Sequence, residues 1–265
     1  MINRILITAL FAVMILGCTK VPVTGRRQLS LVSNSEIIPM SFQQYEQVLK
    51  ESKLSDDEEQ VAMVKRVGGR IQKAVEEYME MKGASDNLEG FAWDFNLIED
   101  DIMNAWCMPG GKVAFYTGIM SICKNEAGIA VVMGHEVAHA IANHGRERMS
   151  QGLLANGFLG GISVAMGSNP TLTQDILMQS IGAGTQLGML TFSRKHESEA
   201  DEIGLIFMAM AGYNPNEAPK FWERMSEGSG GSQPPEFLST HPSHETRISD
   251  LKAQIPEAMK YYKKN

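Results

Sequence analysis

Two histidines and a glutamate in one apolar stretch form the pattern best suited to chemistry in this 265-residue chain. His135, Glu136 and His139 fit the motif H-E-x-x-H within residues 126–148, which the sequence predicts as one buried helix. On a helix of 3.6 residues per turn, positions i and i+4 lie about 40° apart, so both imidazoles can reach one metal ion. Glu136 lies beside them and can take a proton from the attacking water. The motif therefore predicts a zinc-dependent hydrolase.

The third zinc ligand does not follow the motif closely. Catalytic zinc usually has three protein ligands and one position for water or substrate. Ala142 and Gly145 stand where a metzincin would need Gly and His. A downstream Glu of the thermolysin type is also missing, because no acidic residue lies between Glu147 and Asp175. The remaining sources are Asp175 and the acidic cluster at 193–201.

Helical spacing within this cluster favours Glu197. Glu197 and Asp201 are four residues apart and share a helix face with Ala200 and Gly204, whose small side chains allow a second helix to approach. Glu199 points about 200° away from that face. We therefore expect Glu197 to be the third ligand, with Asp201 orienting a ligating histidine.

The elements around the motif predict an α+β fold that is mostly helical. Alternating apolar residues at 91–98 indicate a half-buried strand, and two further strands joined by a Pro-Gly-Gly turn would complete a small three-stranded sheet beside the motif helix. An edge of that sheet could take an extended peptide, although a purely structural hairpin fits equally well. The further strands are predicted at 103–107 and 112–116, the helices at 34–52, 56–83, 126–148, 194–210 and after 243, a helical hairpin at 152–188 and a flexible loop at 226–240.

Length and charge limit the classes of protein to consider. With 265 residues, 43% of them hydrophobic, the chain can bury one well-packed domain and has no room for a second large one. The net charge is -7 and no block of Lys or Arg occurs, which argues against a nucleic-acid partner.

The first residues indicate a targeting segment. Arg4 precedes an apolar run at 5–16 that is too short to span a bilayer, and the run ends in Leu16-Gly17-Cys18, which resembles a bacterial lipobox. These features predict a lipoprotein signal peptide at 1–17, a lipidated arm at 18–33 and a metallopeptidase domain at 34–265. The expected location is the bacterial cell envelope, as an outer-membrane lipoprotein that faces the periplasm and is held to the membrane by lipid on Cys18.

Lipidation of Cys18 would leave two cysteines, Cys107 and Cys123. A disulfide between them and two separate buried thiols are both compatible with the sequence.

The motifs together resemble a known family. H-E-x-x-H followed by S-R-x-x-E-x-E-A-D is similar to the HtpX-like zinc endopeptidases, a family that also contains the CaaX prenyl protease and the Oma-type mitochondrial protease. Segments 21–29, 104–113 and 239–247 also resemble that family. The resemblance implies a gluzincin-type fold with one Zn²⁺ per chain, and it implies Glu197 as the third ligand.

The resemblance also implies residues around the metal. Asn104, Ala105, Trp106 and Cys107 would line the substrate cleft, and His241 and Arg247 would belong to the surround of the active site. His241 could donate to the oxyanion of the transition state or cap the zinc as a removable fourth ligand, with His244 as a weaker alternative. His144 and His196 are expected to be structural.

The expected function is a zinc-dependent endopeptidase that degrades misfolded or damaged envelope proteins by metal-activated water attack, with Glu136 as the general base. Its partners would be unfolded or misfolded proteins. The alternative is a chaperone or assembly factor for outer-membrane proteins in which proteolysis is latent.

Overall fold

Helices dominate the structure, and a small sheet lies beside them. The computed structural model describes residues 18–155, 192–228, 236–241 and 246–263. The elements of these ranges are β1 (Cys18–Lys20), β2 (Arg27–Leu29), α1 (Asn34–Glu51), α2 (Glu58–Met81), a 3-10 helix (Ser85–Leu88), β3 (Asp94–Ile98), β4 (Ala105–Met108), β5 (Lys112–Tyr116), α3 (Thr117–Cys123), α4 (Glu126–Ile141), α5 (His144–Ala155), α6 (Arg194–Met210), α7 (Glu217–Gly228), α8 (Glu236–Thr240), α9 (Arg247–Ala258) and a last 3-10 helix (Met259–Tyr261). The mostly helical α+β fold is confirmed.

The three-stranded sheet has the order β3-β5-β4, as a mixed sheet. β3 runs parallel to β5, and β4 runs antiparallel to it. The turn between β4 and β5 needs Gly110 and Gly111, whose φ angles of 89° and 83° are left-handed. Among the described strands, β4 therefore has one edge that pairs with no other strand.

The predicted motif helix is two helices. α4 ends at Ile141, and α5 begins at His144 after a break at Asn143, whose φ of 58° is left-handed. Asparagine adopts this conformation more readily than most residues, so the break has a local cause. Its consequence is that His144 no longer follows the helical spacing of the motif.

Other boundaries also differ from the prediction. The first strand of the sheet begins at Asp94 instead of residue 91, and the predicted loop at 226–240 contains the end of α7 and the whole of α8. The leader at 1–17, most of the predicted hairpin at 152–188, including Asp175, and His244 lie outside the described residues. No helix within the described ranges is long and apolar enough to cross a membrane.

The core is built on the contact between α4 and α6. Every residue of α4 from Gly128 to Ile141 is buried, and α6 packs closely along it. A Cβ atom added at Gly204 would lie 2.9 Å from the carbonyl carbon of Gly134, so only glycine at both positions allows the backbones to approach this closely. Cys107 and Cys123 are buried free thiols. Of the two alternatives for these cysteines, the structure therefore has the separate thiols and not the disulfide.

Candidate active site

Four buried side chains direct ligand atoms to one point. His135, His139, Glu197 and His241 each offer one nitrogen or oxygen, and these atoms lie within 4.8 Å of one another. Nε2 of His135 lies 3.1 Å from Nε2 of His139 and 3.2 Å from Nδ1 of His241. Oε1 of Glu197 lies 3.3 Å from Nε2 of His139 and 3.0 Å from Nδ1 of His241. The arrangement can hold a metal ion.

Three separate elements supply these ligands. α4 carries His135 and His139 one turn apart, and the glycine contact with α6 brings Glu197 opposite them. His241 follows α8, where its backbone N–H donates to the carbonyl of Phe237 at 2.8 Å. The His241 ring also stacks on Phe192, with the ring centres 5.2 Å apart. These contacts hold the imidazole in position.

The charges of the cluster favour a cation. Burial opposes ionisation of Glu197, but His241, Arg247 and the other ligating imidazoles outweigh it and hold the pKa of its carboxyl well below the usual range. Burial alone would lower the pKa of His135, but hydrogen bonds to Asp201 and Glu197 raise that pKa to about 9. Three imidazoles and one carboxylate are a donor set that zinc accepts. The residues therefore fit a zinc ion.

Asp201 and Arg247 hold the ligands from behind. Oδ1 of Asp201 lies 3.0 Å from Nδ1 of His135, the nitrogen that faces away from the cluster. The guanidinium of Arg247 donates to Oε2 of Glu197 and to Oδ1 of Asp201, both at 2.8 Å. It also lies over the ring of Trp222, 3.5 Å from the ring centre. The structure thus places Asp201 against the ligand His135 and Arg247 against the ligand Glu197.

Glu136 is placed next to the ligands but does not join them. Its Oε1 is buried without a hydrogen-bond partner among the described residues and lies 3.4 Å from Nε2 of His241. Burial raises the pKa of its carboxyl above the ordinary value. Glu136 lines a cavity together with His139 and Cys107, so its carboxylate can reach a molecule bound there.

The four predicted cleft residues divide into two sets. Cys107 lines the cavity, and Ala105 belongs to the same buried cluster as the motif helix. Trp106 points to the other side of the sheet, where its ring packs edge-on against Tyr45. Asn104 is buried, and its Oδ1 accepts from the backbone N–H of Ala105 at 2.9 Å. Alternation along a strand explains why adjacent residues diverge.

Sequence reasoning missed a polar network behind His139. Nδ1 of His144 lies 2.9 Å from Nδ1 of His139, and Nε2 of His144 lies 2.9 Å from Glu199. His196 lies 3.0 Å from Glu147 in the same network. The sequence predicted His144 and His196 to be structural but did not predict these contacts. The break at Asn143 hid this arrangement, because it removes His144 from the helical spacing.

Burial and hydrogen bonds shift the pKa values of His144, Glu147 and Glu199. Burial lowers the pKa of His144 to about 4. Burial would raise the pKa of Glu147 and Glu199, but hydrogen bonds from His196 to Glu147, from His144 to Glu199 and from Arg26 to both lower each pKa to about 2. The network therefore holds a neutral His144 between a ligand and an ionised carboxylate.

Comparison with known proteins identifies the family. The model of peptidase family M48 matches residues 65–255. The mitochondrial metalloendopeptidase OMA1 of Arabidopsis thaliana is 36% identical over 197 residues, which are 73% of this chain and 38% of the relative. OMA1 of Schizosaccharomyces pombe is 34% identical over 244 residues, 90% of this chain and 66% of the relative. The β-barrel assembly-enhancing protease of Escherichia coli is 35% identical over 164 residues, 60% of this chain and 33% of the relative.

These relatives contradict the predicted location. OMA1 proteins that match most of this chain are mitochondrial, so the prediction of a bacterial outer-membrane lipoprotein facing the periplasm is wrong. A basic residue followed by a short apolar run occurs in segments sent to different compartments, and it does not by itself set the destination. Lipid attachment at Cys18, which is exposed, stays a prediction.

The matches also settle the enzyme class at the level of the family. The predicted class, a metalloendopeptidase with an H-E-x-x-H site, agrees with relatives whose names describe metalloendopeptidases and a protease. The chain spans 38% and 66% of the lengths of the two OMA1 proteins named above. Because the family model covers most of the chain and the donor cluster falls within the matched residues, the chain belongs to peptidase family M48.

Proposed function

We propose that this chain is a zinc-dependent endopeptidase that cleaves extended segments of unfolded or misfolded proteins. One observation carries the proposal: His139 of the buried donor cluster, Glu136 and Cys107 of β4 line a single cavity. The three parts correspond to metal binding, proton transfer and substrate positioning.

The roles of the residues follow from their positions. Zinc held by His135, His139 and Glu197 would supply Lewis-acid polarisation of the scissile carbonyl and of the attacking water. Glu136 is placed to take the proton of that water and to deliver it to the leaving amine. Its burial raises its pKa, which improves its match to proton transfer near neutral pH. Asp201 and Arg247 hold His135 and Glu197 in orientation.

The edge of β4 that pairs with no other described strand supports an extended substrate. The N–H of Tyr116 donates to the carbonyl of Asn104 at 3.1 Å, and in an antiparallel pair such bonded positions alternate along the strand. Trp106 therefore shares bonds with β5, and Ala105 and Cys107 direct their backbone groups to the other edge. A peptide that adds to this edge would pass the carboxylate of Glu136. Folded proteins rarely offer such a segment, which favours unfolded ones.

A second function, substrate binding with latent proteolysis, is favoured by the position of His241. Hydrolytic zinc sites keep one position for water or substrate, and a fourth protein ligand would fill it. Nδ1 of His241 lies inside the donor cluster, as a ligand would, while its Nε2 faces Glu136. Of the two roles predicted for His241, this geometry supports the removable cap more than the oxyanion donor.

One comparison of variants tests both functions. We expect Glu136→Gln to keep zinc and lose cleavage of an unfolded protein by about 10²- to 10⁴-fold, because only proton transfer is removed. His241→Ala should keep zinc and raise cleavage if His241 caps the metal. The matched control is Glu46→Gln on the exposed face of α1, which should change neither measurement.

Zinc content by metal analysis and cleavage of an unfolded protein are the two measurements. Full cleavage by Glu136→Gln would refute the proposed mechanism. If Glu136→Gln still replaces the wild-type protein in cells, binding is the main role. If His241→Ala cleaves no faster than the wild type, the cap is refuted.

A further inference from the structure

The outward nitrogen of His139 has a defined partner. His139 directs Nε2 to the donor cluster, and its Nδ1 lies 2.9 Å from Nδ1 of His144. Two ring nitrogens at this distance share a single hydrogen. Because Nε2 must offer a lone pair to a metal, that hydrogen belongs on Nδ1 of His139, which then donates to His144.

The same reasoning fixes the second ring. His144 accepts at Nδ1, so it carries its hydrogen on Nε2 and donates to Oε2 of Glu199 at 2.9 Å. The His144 side chain is fully buried and has no access to water that could replace either bond. The result is a ligand–histidine–carboxylate chain, a longer form of the carboxylate–histidine pairs that orient metal ligands.

The carboxylate at the end of this chain is held by the N-terminal arm. Oε1 of Glu199 accepts from the hydroxyl of Thr24, and Oε2 accepts from Nε of Arg26 at 2.7 Å. The two terminal nitrogens of Arg26 donate to the two oxygens of Glu147, at 3.1 and 2.7 Å. One guanidinium thus joins α5 to α6, using donors that only arginine presents in this geometry.

The link through Glu147 also reaches the ligands. Glu147 lies 3.0 Å from Nε2 of His196, the residue that precedes the ligand Glu197. The rings of His144 and His196 stack with their centres 4.5 Å apart. The arm therefore contacts both carboxylates, Glu147 and Glu199, of the network behind the donor cluster.

We propose that Thr24 and Arg26 are positioning residues of the metal site, which act through Glu199 and His144 on the ligand His139. Removing Arg26 would leave the carboxylates of Glu147 and Glu199 without their common cation, and His144 would lose its fixed acceptor. This inference rests on one part of the proposed function, the binding of a metal by the donor cluster. It does not depend on whether the protein cleaves peptides.

Metal affinity and ligand geometry test the inference. We expect Arg26→Ala to bind zinc about 10- to 100-fold more weakly in competition with a chelator, the usual effect of removing a partner that orients a ligand. The visible absorption of the cobalt-substituted protein should also change, because it reports ligand geometry. Arg27→Ala, the exposed neighbour on β2, is the matched control and should match the wild type in both measurements.

Two further variants keep the test decisive. Glu199→Gln removes the negative charge at the carboxylate end of the chain, and we expect it to weaken zinc binding in the same way. It replaces Arg26→Ala in the test if circular dichroism shows that Arg26→Ala does not fold. Arg26→Lys keeps the charge without the fork and should recover part of the affinity. The inference is overturned if Arg26→Ala and Glu199→Gln bind zinc and cobalt as Arg27→Ala does. That result would leave the proposed function intact. A wild-type protein that binds no zinc would overturn both.

Discussion

Arg247 lies fully buried between two carboxylates, those of Glu197 and Asp201. Removing one partner of a buried ion pair costs about 3–5 kcal/mol, because a charge is left without compensation. We therefore expect Arg247→Met to lower the free energy of unfolding by that amount in urea denaturation. The control is Lys252→Met on the same helix, whose exposed ion pair with Glu223 should contribute under about 1 kcal/mol. Equal stability of the two variants would contradict this account of Arg247.

Single residues of the site could be predicted only where local spacing is informative. H-E-x-x-H places its two histidines by helical geometry, and the same geometry selects Glu197 over Glu199 as a ligand. His144 could not be predicted in this way, because its contact with His139 depends on the left-handed backbone of Asn143. Periodicity carries no signal across such a break.

At the scale of elements, the glycine contact between α4 and α6 decides whether the ligands meet. A methyl group at position 204 would lie 2.9 Å from the backbone nitrogen of His135, which cannot move alone. We expect Gly204→Ala to destabilise the fold by about 1–3 kcal/mol, the usual cost of overpacking, and to weaken zinc binding by separating the helices.

Gly69 on α2 supplies the control for that substitution. A Cβ atom there meets no other atom within 4 Å, so Gly69→Ala should stabilise its helix by up to about 1 kcal/mol and leave zinc affinity unchanged. Denaturation and chelator competition measure both quantities. Unchanged zinc affinity in Gly204→Ala would show that the close helix contact does not set the ligand geometry.

Most elements could be predicted from their boundaries and periods. Asp57 caps α2 through the N–H of Gln60, Gly83 follows its end, and the alternation at 94–98 marks a strand. The order of the strands could not be predicted, because β3 pairs with β5 and not with β4, the strand that follows it in the sequence. Short strands do not encode which neighbour they select.

At the scale of the whole molecule, distant parts of the chain meet around one point. The hydroxyl of Thr24 donates to Glu199, 175 residues away, and Arg247 at the start of α9 donates to Glu197. Sequence patterns locate such residues but do not indicate their pairing, since no local period relates them. The resemblance to a family pointed to segments 21–29 and 239–247, but only the structure shows what they contact.

Because the donors come from α4, α6 and the residue after α8, a bound metal would link three elements of the native state. A ligand that binds only the folded state adds about 4 kcal/mol at a free concentration 1,000 times its dissociation constant. We therefore expect chelation of the zinc-loaded protein to lower its thermal midpoint by about 10 °C, since each kcal/mol shifts a domain of this size by about 2–4 °C. Added zinc should restore the midpoint, whereas magnesium, which prefers oxygen ligands, should not. A midpoint that is insensitive to chelation would show that the cluster does not link these elements through a metal.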